Sequence, residues 1–192
     1  PLRYPGGKSR ACKKMDPFFP DLRYYDAYYE QFLGGGSVAL HITKKYPKLK
    51  IIVNDLYEPL YNFWLRLQVD GDYVHTQLQQ LKSRFPDRGS ARGLFEDAKE
   101  KLYDLDVSDK DRAVCFYIIN KCSFSGLTES SSFSEQASDA NFSMRGIDKL
   151  PVYSKLIKDW YITNVDYHHL LGDKEKTFVY LDPPYDIKDN LY

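Results

Sequence analysis

The hydrophobic positions of this chain form short continuous runs and longer stretches with helical spacing. Tyr24–Tyr29, Ile51–Val53 and Phe178–Leu181 are short runs of branched or aromatic residues, and Trp160–Thr163 is a weaker fourth. Each run is followed by polar or glycine-rich sequence, a pattern typical of buried parallel strands. Because open α/β sheets bind ligands beyond the carboxyl ends of their strands, we expect the chemistry to follow these runs.

Helical spacing occurs between the predicted strands. Ser37–Lys45 predicts a helix after the first strand, with Ser37 as its N-cap. Apolar residues recur at helical spacing in three stretches of residues 58–103, and Asp109–Lys121 predicts one more helix. Residues 122–147 are rich in serine and poor in aliphatic residues, which predicts a long irregular loop or an irregular hairpin. The predicted fold class is therefore α/β with an inserted block of helices.

Composition narrows the possible functions without identifying one. Lysine plus arginine and aspartate plus glutamate both number 27, so net charge gives no argument for a nucleic-acid partner. The three cysteines form no CxxC pair, and no apolar run is long enough to span a bilayer. We therefore expect an intracellular protein with free thiols. Because the chain begins at Pro1 and not at methionine, we also expect further sequence before it.

The most specific motif is Asp182-Pro183-Pro184-Tyr185, which follows the last predicted strand. Its two prolines fix φ and remove two backbone donors, so few N–H groups compete for the Pro183 carbonyl. The ionised Asp182 carboxylate only accepts hydrogen bonds, and the two groups together form a rigid pair of acceptors for an amino group. Tyr185 adds an aromatic face on which a planar base can stack. The alternative interpretation is a plain strand that ends in a Pro-Pro turn.

Two features earlier in the chain, each after a predicted strand, are typical of a site that binds a nucleotide-like ligand. Three consecutive glycines lie between Phe32 and Ser37, at a strand-to-helix turn, where they permit a close approach of backbone to ligand. Asp55 follows the next strand about twenty residues later, where an acidic residue accepts hydrogen bonds from ribose hydroxyls. The alternative for Asp55 is a cap on the helix that begins near Glu58.

The N-terminal sequence from Arg3 to Ser9 ends in Gly-Gly-Lys-Ser, like a phosphate loop, but the first glycine of that motif and the preceding strand are missing. We therefore interpret it as a flexible turn in which Tyr4 covers part of a ligand and Lys8 binds a carboxylate. The adjacent His168 and His169 have no matching acidic or cysteine partners in the sequence. They are interpreted as polar surface and not as metal ligands.

Taken in order, the N-terminal turn, the glycine turn, Asp55 and Asp-Pro-Pro-Tyr resemble the Dam-like D12 class (alpha group) of adenine-N6 DNA methyltransferases. The resemblance extends over nearly the whole chain. It implies a Rossmann-like sheet that binds S-adenosylmethionine, without a metal, and methylates adenine in double-stranded DNA. It also implies a cytoplasmic enzyme of bacterial or phage origin, associated with restriction–modification.

The same resemblance implies a division of the chain and roles for individual residues. Residues 1–57 and 150–192 would form the catalytic domain, incomplete at its C-terminus, and residues 58–149 a helical target-recognition insertion. The implied catalytic residues are Asp182, Pro183, Pro184 and Tyr185. The implied cofactor-binding residues are Tyr4, Gly7, Lys8, Phe32, Gly34, Gly35, Gly36, Ser37, Asp55, Asp166, Tyr167 and Asp182.

Candidate DNA contacts come from the basic and polar residues of the insertion, and for each residue of the basic stretch between Lys82 and Arg92 the alternative is a solvated helical face. These candidates are Arg84, Arg88, Arg92, Lys121, Ser123, Ser125 and Arg145. The sequence departs from the family at Gln31, where proline is common, and at Thr128, where an arginine is usual. The departure at Thr128 leaves the target sequence open, although GATC is the family's common target.

Two other functions are consistent with these motifs. The same acceptors would suit amino methylation of cytosine N4, of RNA or of a protein amide, because any NH₂ group offers two donors. The chain could also be a DNA-binding relative without catalytic activity. The presence of Lys8, Asp55 and Asp182 argues against that second alternative.

Overall fold

The computed structural model describes residues 1–4, 7–8, 10–126, 131–166 and 176–183. In this part of the chain four parallel strands form one sheet in the order β3-β2-β1-β4. The strands are β1 (Ala27–Glu30), β2 (Lys50–Asn54), β3 (Tyr161–Thr163) and β4 (Thr177–Tyr180). The parallel sheet with its helices confirms the α/β fold class and is consistent with a Rossmann-like arrangement.

Helices occupy most of the remaining described chain. They are α1 (Cys12–Met15), α2 (Ser37–Lys45), α3 (Glu58–Val69), α4 (Gly71–Arg84), α5 (Arg88–Leu102), α6 (Asp109–Cys122), α7 (Glu135–Asn141), α8 (Met144–Ile147) and α9 (Leu150–Leu156). Within the described ranges, none of them combines the length and the apolar character needed to cross a membrane.

The first strand differs from its prediction at both ends. Residues Leu22–Tyr24 form a 3₁₀ turn, because the Asp21 side chain accepts a hydrogen bond from the Arg23 N–H, so β1 begins only at Ala27. At the other end the strand continues to Glu30, a charged residue that the apolar run did not include. The other three strands lie within one residue of their predicted bounds.

Helix α2 has its predicted bounds, but the predicted cap is wrong. Ser37 is the first helical residue, and the N-cap is Gly36, with φ of +67°. A left-handed backbone at this position favours glycine over serine. The Ala39 N–H, in the first turn of the helix, donates a hydrogen bond to the carboxylate of Glu30 on β1. The strand therefore supplies the polar acceptor that a serine cap would otherwise provide.

Aromatic side chains hold the helices between residues 58 and 149, here called the helical block, together and connect them to the sheet. Helix α6 is buried along almost its whole length and packs between α3 and α5. The Phe63 ring of α3 stacks on Tyr117 of α6, with centroids 6.1 Å apart. Trp64, also on α3, contacts Trp160, the residue before β3, with centroids 5.6 Å apart. These contacts place α3 between the helical block and the sheet.

The prediction of a long irregular loop or an irregular hairpin over residues 122–147 is wrong for Glu135–Asn141 and Met144–Ile147, which are helical. Helices α7 and α8 form there because Ser134 and Ser143, which read as loop residues in the sequence, cap them. The Ser134 hydroxyl accepts from the Ala137 N–H at 3.1 Å, and the Ser143 hydroxyl accepts from the Gly146 N–H at 3.2 Å. The buried Phe142 then anchors the segment in the core. Residues 127–130 lie outside the described part.

Candidate functional site

The carboxyl ends of the parallel strands meet at one edge of the sheet, and two acidic residues lie there. Strand β1 lies between β2 and β4, so the chain order reverses beside it, as at the ligand-binding crevice of open α/β sheets. Glu30 of β1 pairs with Val53 and with Tyr180. Asp55 and Asp182 each follow two residues beyond those partners. Their carboxylates therefore flank the end of β1, as the sequence motifs predict.

The three consecutive glycines allow two large side chains to approach the backbone of the turn. Gly34 and Gly36 have positive φ, at +51° and +67°. A Cβ on Gly34 or Gly35 would lie 2.9 Å from Tyr4, and a Cβ on Gly36 would lie 2.5 Å from the Trp64 ring. The close approach expected at these glycines is thus made by protein side chains. Because Tyr4 remains 40% exposed, its ring is still accessible from solvent.

Asp55 connects the glycine turn to the chain that follows β2. Its Oδ2 accepts from the Gly34 N–H at 2.9 Å, and its Oδ1 accepts from the Tyr57 N–H at 3.0 Å. Burial raises the pKa of Asp55, while these two N–H donors oppose that shift. A carboxylate has about four acceptor positions, so two positions remain for the hydroxyls of a ligand.

Lys8 and Asp182 form an ion pair at the end of β4. The Lys8 Nζ lies 2.7 Å from the Asp182 Oδ2, and both side chains are a little more than a quarter exposed. Gly7 precedes the lysine, and its N–H donates to the Tyr4 carbonyl at 3.0 Å. The N-terminal turn and the Asp-Pro-Pro motif, 174 residues apart in sequence, therefore belong to one site.

Glu30 is a member of this site that the sequence analysis missed. It is 3% exposed, and its Oε2 accepts from the Tyr28 hydroxyl at 2.8 Å. Burial raises the pKa of Glu30 to about 8, and the nearby charges of Asp182 and Asp55 act in the same direction. The available signal was its position: a glutamate directly after a buried apolar run is uncommon unless it has a partner.

Asn54 fixes the segment that follows β3 beside Asp55. The Asn54 Oδ1 accepts from the Val165 N–H at 3.0 Å, and its Nδ2 donates to the Val165 carbonyl at 2.9 Å. Asn164 donates to the Asp55 carbonyl at 2.8 Å. These bonds bring the half-buried Asp166 to the same edge of the sheet as Asp55.

The structure describes only some of the remaining predicted site residues. Phe32 is half-buried in the glycine turn, and Pro183 is exposed directly after Asp182. Tyr167, Pro184 and Tyr185, like His168 and His169, lie outside the described residues. Among the residues that the structure does describe, no group of three or more His, Cys, Asp or Glu side chains is arranged to hold a metal ion.

The predicted DNA contacts divide into exposed and buried residues. Arg84, Arg92 and Arg145 are exposed. Lys121 is only 8% exposed, with its Nζ donating to the Pro1 carbonyl, and Ser123 is fully buried. The structure therefore corrects the assignment of Lys121 and Ser123 as DNA contacts, because both are covered by protein. The structure does not describe the side chains of Arg88 and Ser125.

Comparison with known proteins gives one family and two relatives. The family described as D12 class N6 adenine-specific DNA methyltransferase matches residues 4–191. Type II methyltransferase M.MjaIII from Methanocaldococcus jannaschii is 27% identical over 96% of this chain and 68% of its own length. Modification methylase StsI from Streptococcus sanguinis is 24% identical over 100% of this chain, which spans 29% of that relative.

Proposed function

The chain belongs to the D12 class of N6 adenine-specific DNA methyltransferases, and on this premise we propose that it methylates the N6 amino group of adenine in duplex DNA. S-adenosylmethionine would be the methyl donor. One observation carries the proposal: the glycine turn, Asp55 and the Lys8–Asp182 pair lie together at the switch point of the sheet. This edge can hold a nucleoside-like donor beside a pair of acceptors for an amino group.

The charge at the edge of the sheet suits this donor. Asp55 and Asp182 flank the end of β1, and two carboxylates at one edge favour a ligand with positive charge. S-adenosylmethionine supplies a methyl group that its sulfonium charge already activates. Asp55 has acceptor positions left for ribose hydroxyls, and Asp166 lies at the edge where an adenine would follow the ribose. The exposed side of Tyr4 would cover the ligand.

The amino group of adenine is a poor nucleophile because its lone pair is delocalised into the ring. We propose that the Asp182 carboxylate and the Pro183 carbonyl accept its two hydrogens and hold the nitrogen with its lone pair towards the methyl group. The task of these residues is then alignment and charge stabilisation, and the proton leaves after transfer. Lys8 fixes the position of the carboxylate. A base inside a duplex must flip out to reach this site, and Tyr185 would stack on it.

We propose that residues 58–149 form the DNA-recognition insertion and that residues 1–57 and 150–192 belong to the catalytic domain. The exposed Arg84, Arg92 and Arg145 would contact phosphates. GATC is the first target sequence to assay, because it is the common target of the family that the sequence resembles.

The test is transfer of a labelled methyl group from S-adenosylmethionine to unmethylated duplex DNA that contains GATC, with the full-length protein. We expect N6-methyladenine in the nucleoside digest, and a loss of at least about 100-fold in rate for Asp182→Asn, which removes a charged acceptor. Asp159→Asn is the matched control, because this exposed carboxylate precedes β3 at the opposite end of the strands.

Other outcomes separate the alternative functions. N4-methylcytosine in the digest, in place of N6-methyladenine, would show that the methylated base is cytosine. Cofactor binding without transfer to any DNA would direct the search to RNA or to a protein amide. Absence of cofactor binding by the full-length protein would refute the proposed activity and favour a DNA-binding relative without catalysis.

A further inference from the structure

A fully buried asparagine joins the helical block to the N-terminal segment, which we define as residues 1–8. The Asn120 Oδ1 accepts from the Arg3 N–H at 2.9 Å. Its Nδ2 donates to the Arg3 carbonyl at 2.6 Å and to the Gly126 carbonyl at 3.0 Å. Both amide donors and the amide acceptor are thus used in bonds to backbone. Breaking them would leave buried polar groups without partners, so Asn120 strongly favours this one arrangement.

The chain that follows α6 packs against Arg3. We define the turn segment as residues 123–126. The Arg3 Nη1 donates to the Ser123 carbonyl at 2.9 Å. Gly126 has φ of +75°, and a Cβ there would lie 2.9 Å from the Arg3 Cβ. Only a glycine fits this position without displacing the N-terminal segment.

The other end of the N-terminal segment reaches the proposed cofactor site. Tyr4, the residue after Arg3, packs directly against Gly34 and Gly35. Lys8 forms the ion pair with Asp182. The residues that contact the ligand edge are thus a few bonds away from the residue that Asn120 holds, so a shift of Arg3 must move Tyr4.

The turn segment in turn contacts the proposed DNA surface. Ser123 pairs with Phe133 in an isolated antiparallel bridge. The Arg92 guanidinium, a proposed phosphate contact, lies over the Phe133 ring at 5.1 Å from its centroid. A continuous set of contacts therefore runs from Arg92 through Phe133, the turn segment and Arg3 to the glycine turn.

From this arrangement we infer that Asn120 is a positioning residue that couples DNA binding to cofactor binding through the N-terminal segment. The inference rests on the proposed function. The Asn120 bonds hold Arg3 and Tyr4 in the arrangement that contacts both proposed ligand surfaces, so a ligand that favours this arrangement at one surface increases the affinity at the other. Asn120 itself contacts neither ligand, and its effect is transmitted by Arg3 and Tyr4.

The binding test measures the dissociation constant of S-adenosylhomocysteine with and without a saturating duplex, by calorimetry on the full-length protein. We expect the duplex to tighten binding at least about fivefold in the wild type, the lower end of usual coupling. Asn120→Ala should reduce that ratio to within about twofold of one, and in turnover it should raise KM for S-adenosylmethionine more than it lowers kcat. Asn62→Ala is the matched control, since Asn62 is also buried but bonds only to the Asp109 carbonyl inside the helical block.

A second measurement needs no ligand, so it distinguishes failure of this inference from failure of the proposed function. Amide hydrogen exchange over residues 1–8 and 123–126 should accelerate in Asn120→Ala and stay unchanged in Asn62→Ala. Arg3→Ala removes the half-buried side chain that bonds to the Ser123 carbonyl but keeps the backbone groups that Asn120 binds, so it should give an intermediate loss of coupling and serves as the test if Asn120→Ala does not fold. Unchanged exchange in Asn120→Ala, or a wild type without coupling, would overturn the inference. Absent binding of S-adenosylhomocysteine combined with accelerated exchange would instead refute the proposed function.

Discussion

Glu30 makes the stability of this protein depend on pH in a direction opposite to that of an ordinary carboxylate. Its pKa of about 8 in the folded protein compares with an ordinary value of 4.5, because burial disfavours the charged form. An acid with a raised folded pKa binds its proton more tightly when folded. Its stabilising contribution is therefore complete below pH 4.5 and is lost as the pH rises through about 8. At about 1.4 kcal/mol per pH unit, the loss across this window is at most about 5 kcal/mol.

Substitution by glutamine should remove this dependence. The uncharged amide of Glu30→Gln can still bond to the Tyr28 hydroxyl, which can donate or accept, and to the Ala39 N–H. We therefore expect the variant to match the wild type in free energy of unfolding near pH 5. At pH 7.5 it should be more stable than the wild type by several kcal/mol, in the absence of ligand.

The assay is urea unfolding of the full-length protein at half-unit steps from pH 5 to 7.5, for wild type, Glu30→Gln and Glu100→Gln. Glu100 is an exposed residue of α5, so its substitution should leave the pH dependence of the wild type in place. Taking the difference between variants cancels the titration of the groups that do not interact with Glu30. Parallel curves for wild type and Glu30→Gln would refute the reasoning, since they would mean that Glu30 is ionised in both states.

Three further predictions concern the site. Gly36→Ala should lower the free energy of unfolding by about 3 kcal/mol, because the backbone has a positive φ there and the added Cβ would meet the Trp64 ring. Gly93→Ala is the control: no atom lies within 4 Å of its added Cβ, so it should raise the free energy of unfolding by about 0.5–1 kcal/mol in the same urea assay. Asp55→Asn should raise the dissociation constant of S-adenosylmethionine at least about tenfold in calorimetry, because the ribose acceptor loses its charge; an unchanged constant would place the ribose elsewhere. Lys8→Met should lower kcat/KM for methyl transfer by about 10–100-fold, because Asp182 loses its ion pair; full activity would exclude a positioning role for Lys8.

Local sequence was sufficient for the approximate positions of the strands, for the long helices and for two of the acidic residues at the edge of the sheet. Asp55 and Asp182 were predicted because each directly follows a short apolar run, and parallel strands bring such positions to one edge of a sheet. Glu30 was missed because its role depends on the Tyr28 hydroxyl and on an N–H of α2, and the apolar run alone indicated neither contact.

The errors have a common physical origin in burial. Lys121 and Ser123 were named as DNA contacts as basic and polar residues of the insertion, but the N-terminal segment covers Lys121 and bonds to the turn that begins at Ser123. Residues 122–147 looked like a loop because they contain few aliphatic residues. Helix α7 forms there because Ser134 caps it and because α6 offers a surface for it to pack on.

The sequence by itself determined the α/β class, the order of the strands and long helices along the chain and the motif residues Asp55 and Asp182, because apolar spacing and turn residues are local properties. Only the tertiary structure decided which of those residues meet. Lys8 and Asp182, or Arg3 and Asn120, are more than a hundred residues apart, and their contacts follow from strand order and helix packing. Burial has the same origin, so the shifted pKa of Glu30 and the placement of Lys121 follow from neighbours distant in the chain.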